Sequence, residues 1–170
     1  MRILELPLIL TILIDFAAWF VIHMGAGILP MNLPDRLFEH DSYLYRSRDW
    51  ERSGEIWQTL LRVRAWKDRL PDGAALFKKG FPKKKLRGKD PVFLATFIRE
   101  TRRAEFTHWI AMPFALLFFL WNPPPVGWIM IVYALVVNTP CIIAQRYNRT
   151  RLQRVLVKAQ ERYPQEQNGQ

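Results

Sequence analysis

The chain has one cysteine, Cys141, three histidines and eight glycines in 170 residues. A lone cysteine excludes a disulfide scaffold. The histidines also argue against a metal centre. Glu105-x-x-His108 is half of a di-iron pattern, a second Glu-x-x-His is absent, and His23 and His40 lie far off in sequence. No Walker-type loop and no GxGxxG is present, so nucleotide binding by a P-loop or Rossmann unit is unsupported. Acids are scarce as well, with 15 Asp/Glu against 25 Lys/Arg and a net charge of +10.

Half of the residues are apolar and 14% are aromatic, more than a disordered chain would carry. The length suits one domain over residues 1–170. A mean hydropathy of −0.07 resembles that of a soluble protein, but the mean hides two populations. Residues 112–121 and 126–137 hold no charge, whereas residues 45–103 hold seventeen Lys/Arg against seven Asp/Glu. The expectation is an all-α integral membrane protein with a basic aqueous face.

Three crossings are expected, over about 3–29, 108–121 and 126–144. The first stretch exceeds the roughly 20 residues that cross a bilayer and is too long for a signal peptide's apolar core. Asn122-Pro123-Pro124-Pro125 stops the second span and turns the chain into the third. Trp19, Trp109, Trp121 and Trp128 fall near the boundaries, where indoles favour the interface. Cations crowd residues 45–107 and the tail from Arg146 to Gln170, while the hairpin turn has none. The positive-inside tendency therefore predicts a cytoplasmic middle segment and C-terminus, with the N-terminus outside.

From Asp49 to Arg69 the spacing predicts an amphipathic interfacial helix carrying Trp50, Ile56, Trp57, Leu60, Leu61, Val63 and Trp66. Leu70-Pro71-Asp72-Gly73 would end it. Residues 78–89 then bring seven cations in twelve residues. This run reads first as attraction to anionic lipid, at about 1 kcal/mol per cation, and second as recognition of a polyphosphate headgroup such as coenzyme A. No nucleic-acid-binding fold accompanies it, so nucleic acid is not an expected partner.

The most informative stretch is Arg99-Glu100-Thr101-Arg102-Arg103-Ala104-Glu105-Phe106-Thr107-His108-Trp109, where an aqueous helix becomes a membrane span. At about 100° per residue, Glu100, Thr101, Ala104, Glu105 and His108 share a face. Glu105 and His108, three apart, can touch, and a carboxylate beside an imidazole makes a competent general base. The plainer account is an ion-paired helix in which Arg102 and Arg103 neutralise the glutamates. Asn138, Cys141, Gln145, Asn148 and Arg149 form a matching stripe in the third span, with Asn138 read equally as interhelical glue or as an oxyanion donor.

These stretches resemble the glycosyl-4,4'-diaponeurosporenoate acyltransferases of bacterial C30 carotenoid biosynthesis. The similarity runs from Leu33-Pro34-Asp35 to Leu152 and includes Val63-Arg64-x-Trp66-Lys67 with Asp72-Gly73. Its most specific segments are Glu100-Thr101-x-Arg103-Ala104-Glu105-x-x-His108-Trp109 and Asn138-x-Pro140-x-Ile142-Ile143-x-Gln145-Arg146-Tyr147-Asn148-Arg149. Residues 78–89 and Asp15 depart from the pattern. The resemblance implies esterification of a fatty acyl chain onto the primary hydroxyl of a sugar on a carotenoid or related glycolipid, in the bacterial inner membrane at its cytoplasmic interface. His108 would be the base, oriented by Glu105 or Glu100, with Asn138, or a backbone N–H freed by Pro140, at the oxyanion. Arg64, Lys67, Arg146 and Arg149 would hold the phosphates of an acyl-CoA co-substrate, and Trp66, Thr101, Arg103, Trp109, Gln145, Tyr147 and Asn148 would contact substrate. No resident cofactor is implied. A second copy of the chain would help three thin spans enclose a polyene. The competing classes are a Glu/His-dependent intramembrane hydrolase and a non-catalytic lipid-binding subunit.

Overall fold

The computed structural model describes residues 4–70 and 90–167, with side chains to Glu161. The expected turn after Leu70 and the cationic run at 78–89 lie outside the described residues. Among the described residues every regular element is helical.

Helix α1 (Leu8–Asn32) follows Pro7 and ends where Pro34 forces Leu33 into an extended conformation. Its inward stripe is Thr11, Asp15, Trp19, Ala26 and Pro30, while Leu8, Ile9, Leu13, Phe16, Phe20 and Val21 point outward. Only 11% of its most apolar window is buried, so α1 is no core helix; its solvent-side face is oil. Two helices, α1 and the Pro124–Glu161 portion of α5, are long and apolar enough to cross a membrane.

Residues 49–69 do not form one helix. A 3-10 turn (Asp49–Gly54), helix α2 (Glu55–Leu61), helix α3 (Val63–Trp66) and a second 3-10 turn (Lys67–Arg69) succeed one another. Arg52, Ser53 and Gly54 adopt positive φ at the first break, and Arg62 does so at the second. Left-handed backbone costs a side-chain-bearing residue about 1–2 kcal/mol. It is held here by tertiary bonds, which periodicity cannot foresee. Trp50 and Leu60 remain exposed, whereas Val63 is fully buried.

Helix α4 (Pro91–Ala111) begins at Asp90, whose side chain accepts the Phe93 N–H at 3.1 Å, with Pro91 at the first position. It runs into a 3-10 stretch, Met112–Leu120, whose second residue is Pro113. Proline supplies no N–H for the bond four residues back, and the helix tightens there. The turn at Asn122-Pro123 leads into α5 (Pro124–Gln167), 44 residues and so about 66 Å long. Helix α5 carries on from its apolar part into the basic tail.

Two cores fix these elements. Trp19, Ala115, Phe118 and Ala134 pack where α1, the 3-10 stretch and α5 meet. Leu94, Phe97, Ile98 and Leu152 zip the start of α4 to the far half of α5. At the hairpin, Asp15 Oδ1 accepts from both Trp121 Nε1 and Asn122 Nδ2 at 2.7 Å, which ties α1 to the turn.

Candidate active site

Between the two cores, α4 and α5 face each other through polar groups. His108 Nδ1 lies 2.9 Å from Asn138 Oδ1, and Asn138 Nδ2 donates to Ala134 O at 2.8 Å. A carbonyl only accepts, so the second contact settles which end of the amide faces His108. Nδ1 must then carry the proton, and the lone pair of the neutral ring resides on Nε2. Asn138 is 1% exposed, so this orientation is locked by packing.

Glu105 sits one turn back on α4 and is fully buried. Its Oε1 accepts from Arg146 Nε at 2.8 Å and from Trp109 Nε1 at 3.1 Å. Arg149 NH1 approaches Oε2 to 2.7 Å as a charge contact rather than an aligned hydrogen bond. Arg146 also binds the buried Glu51 through NH1 and Leu44 O through NH2, the latter at 2.6 Å. Glu51 takes further bonds from Trp57 Nε1 and from the Arg48 N–H. Arg149 NH2 donates to Tyr45 O at 2.6 Å. Two buried carboxylates and two buried guanidiniums thus balance each other.

The same logic extends along α4. Arg102 grips Asp41 and the carbonyls of Phe38 and Glu39. Arg103 pairs with Asp35 and lies over the Phe38 ring, while Arg99 NH1 meets Asp35 at 2.9 Å. Arginines from α4 and α5 therefore strap residues 35–54 across one flank of the helix pair. Tyr45, buried under this strap, has its phenol pushed up to about 12, first by burial and then by Glu105.

Several sequence expectations relocate. Arg146 and Arg149, expected at donor phosphates, are 8% and 2% exposed and committed to internal carboxylates and carbonyls. Glu105, expected to orient His108, has its oxygens turned to those arginines. Glu100 Oε1 lies 3.5 Å from Arg103 Nε and 3.7 Å from Arg99 Nε. Asn138, expected at an oxyanion, is bonded to His108 instead. Thr101 is buried with its hydroxyl on Ile98 O, and Tyr147 is buried with Arg151 over its ring. Arg64 is exposed, Lys67 pairs with Asp68, and Trp66 Nε1 caps Leu61 O at 2.7 Å. Gln145 and Asn148 are half-buried on α5, about two and three turns beyond Asn138. Sequence reasoning passed over Glu51, Asp35 and Asp41; the available signal was a local excess of acids, six Asp/Glu against four Arg over residues 35–55, in a chain of net charge +10.

A family profile described as glycosyl-4,4'-diaponeurosporenoate acyltransferase matches residues 41–158. Curated proteins of that name from Staphylococcus aureus strains bovine RF122 / ET3-1, MRSA252 and USA300 are 33% identical over 138 residues, covering 81% of this chain and 83% of theirs. No solved structure matches. The family match takes in the strap from Asp41 onward, the Glu105 network and the His108–Asn138 pair, and the chain belongs to the glycosyl-4,4'-diaponeurosporenoate acyltransferase family.

Proposed function

We propose that this acyltransferase carries a fatty acyl group from acyl-CoA, or another acyl carrier, to the primary hydroxyl of a sugar on a glycosylated carotenoid. The observation that carries the mechanism is the His108 Nδ1–Asn138 Oδ1 bond, with the Asn138 amide fixed by Ala134. Nε2 is the nitrogen that takes the proton of the sugar hydroxyl as its oxygen attacks the acyl carbonyl. Collapse of the tetrahedral intermediate breaks the thioester, forms the ester and returns that proton from Nε2 to the departing thiolate. A base of this kind contributes about 10²- to 10⁴-fold.

With Arg146 and Arg149 committed internally, the donor's phosphates fall to exposed cations. Arg64 and Arg154 qualify, the latter beside a cleft of about 270 Å³ lined by Ser47, Ser53, Thr150 and Gln153. The hydrolase reading has less support, because it needs a carboxylate that can activate water and Glu105 is held by two arginines.

The reading places three crossings in the bacterial inner membrane: α1, the end of α4 with its 3-10 extension, and the first part of α5. The N-terminus lies outside, and the basic segments and reacting groups lie on the cytoplasmic side, as the cation distribution favours. The test is single-turnover transfer of labelled acyl groups to a glucosylated apocarotenoid by purified protein in lipid. Transfer by the wild type and none by a folded His108→Ala supports the reading. Undiminished transfer by that variant would overturn the assignment of the base.

A further inference from the structure

The helix pair has two unlike flanks. Relative to Asn138 on a helical wheel, Arg146 falls about 80° and Thr150 about 120° to one side, under the strap of residues 35–54. Cys141 and Asn148 fall about 60° and 80° to the other side, with Gln145 about 20° from Asn138 itself. On α4, Arg102 and Phe106 face the strap, whereas His108 and the small Ala104 turn the opposite way. The unstrapped flank therefore brings His108, Ala104, Cys141, Gln145 and Asn148 to one side of the α4–α5 seam, all of them half-buried.

Within this set Gln145 is unusual. Its Oε1 is buried and accepts no hydrogen bond. Proteins seldom leave a buried acceptor without a donor, because the lost hydration is not replaced. Buried atoms of Arg99, Arg103, Glu105 and Arg149 also lack an aligned hydrogen bond, but each of those faces an opposite charge within 4 Å, which the neutral Gln145 amide does not. Gln145 lies seven residues beyond Asn138, about 10.5 Å along the axis, and helical side chains lean toward the N-terminus. The amide thus reaches back toward the level of His108.

We propose that Gln145 reads the sugar of the acceptor: its Oε1 accepts a hydrogen bond from a ring hydroxyl while the primary hydroxyl stands at His108 Nε2. The inference rests on the acyl-transfer reading above. It adds the residue that distinguishes a glycosylated acceptor from an unglycosylated alcohol with the same tail.

Gln145→Met keeps the length of the side chain and removes the acceptor. The ratio of kcat/KM for a glucosylated apocarotenoid to that for the corresponding primary alcohol should fall about tenfold, as one neutral hydrogen bond warrants. The thermal midpoint of the ligand-free variant should equal or exceed that of the wild type, because an unsatisfied acceptor has gone. An unchanged ratio, or a lowered midpoint, overturns the proposal, the latter by showing that the amide is structural. Binding of the same two compounds to His108→Ala, with and without Gln145→Met, is read by quenching of tryptophan fluorescence and needs no turnover. Weaker binding of the glucoside alone in the double variant supports the proposal, and equal binding overturns it. Absence of transfer by the wild type would count against the acyl-transfer reading, and this binding pair would still decide the role of Gln145.

Discussion

Asn138 holds His108 by its Nδ1–H, and Ala134 O holds Asn138. Asn138→Ala should thus release the ring without removing it. Single-turnover rates should fall about 10- to 100-fold, the usual effect of losing a histidine's orienting partner, with acceptor binding retained. His108→Ala should fall further, by about 10²- to 10⁴-fold. Equal rates for Asn138→Ala and wild type would remove the amide from the mechanism.

Glu105 neutralises two buried arginines, so its loss should be a folding defect. Glu105→Ala leaves Arg146 and Arg149 short of a counter-charge and should cost about 3–5 kcal/mol. Arg149→Ala should behave similarly. Thermal unfolding in detergent checks both. A well-folded Arg149→Ala that merely failed to bind acyl-CoA would return that arginine to the phosphate role.

This network marks how far the sequence could be read. Charge-free runs, the triple proline and the positive skew made the apolar helices and the hairpin legible. Helical spacing aligned His108 with Asn138 across two helices. The partners of Glu105 were not legible, because His108 and Arg102 each lie three residues from it on the same helix, whereas Arg146 and Arg149 stand more than forty residues further on. Only antiparallel packing brings Arg146 and Arg149 to it. Likewise the positive φ at Arg52 and Ser53 has no signal in the spacing; it directly follows Glu51, which bonds Arg146.

Gly54 has φ +83°, and a Cβ there would sit 2.3 Å from Thr150 Oγ1. Gly54→Ala should destabilise by at least the 1–2 kcal/mol of left-handed backbone, plus the clash. Adding Thr150→Ala should recover the clash but not the backbone cost. Midpoints of the single and double variants measure the two parts. Equal midpoints for the two variants would show that α5 is not in contact there.

Tyr45 offers a pH signature. Its phenol is held near 12, against about 10 when unfolded, so the folded state binds the proton more tightly. The associated stabilisation is fully present below pH 10 and is lost as pH rises from about 10 to 12. Tyr45→Phe should flatten that part of the stability profile. An ultraviolet titration in which every tyrosine ionises near 10 would refute it.

Asp15 accepts from Trp121 and Asn122 at the hairpin. Asp15→Ala leaves the buried Asn122 amide without this acceptor and should cost about 1–3 kcal/mol. Trp121 emission should shift to the red as α1 loosens. An unshifted spectrum with an unchanged midpoint would leave Asp15 without a structural role.

Helix α5 runs unbroken from the hairpin at Pro124 through Asn138 to the arginines that fasten the strap. A rod of this kind fixes the height of His108 relative to the opposite end of the hairpin. In the three-crossing arrangement, bilayer thickness becomes a setting for the enzyme. A thicker membrane draws the outer end and the site apart from their preferred levels, and only tilting of the whole bundle restores them. Transfer rates in lipids of graded chain length should accordingly pass through a maximum, with the 44-residue rod as the gauge.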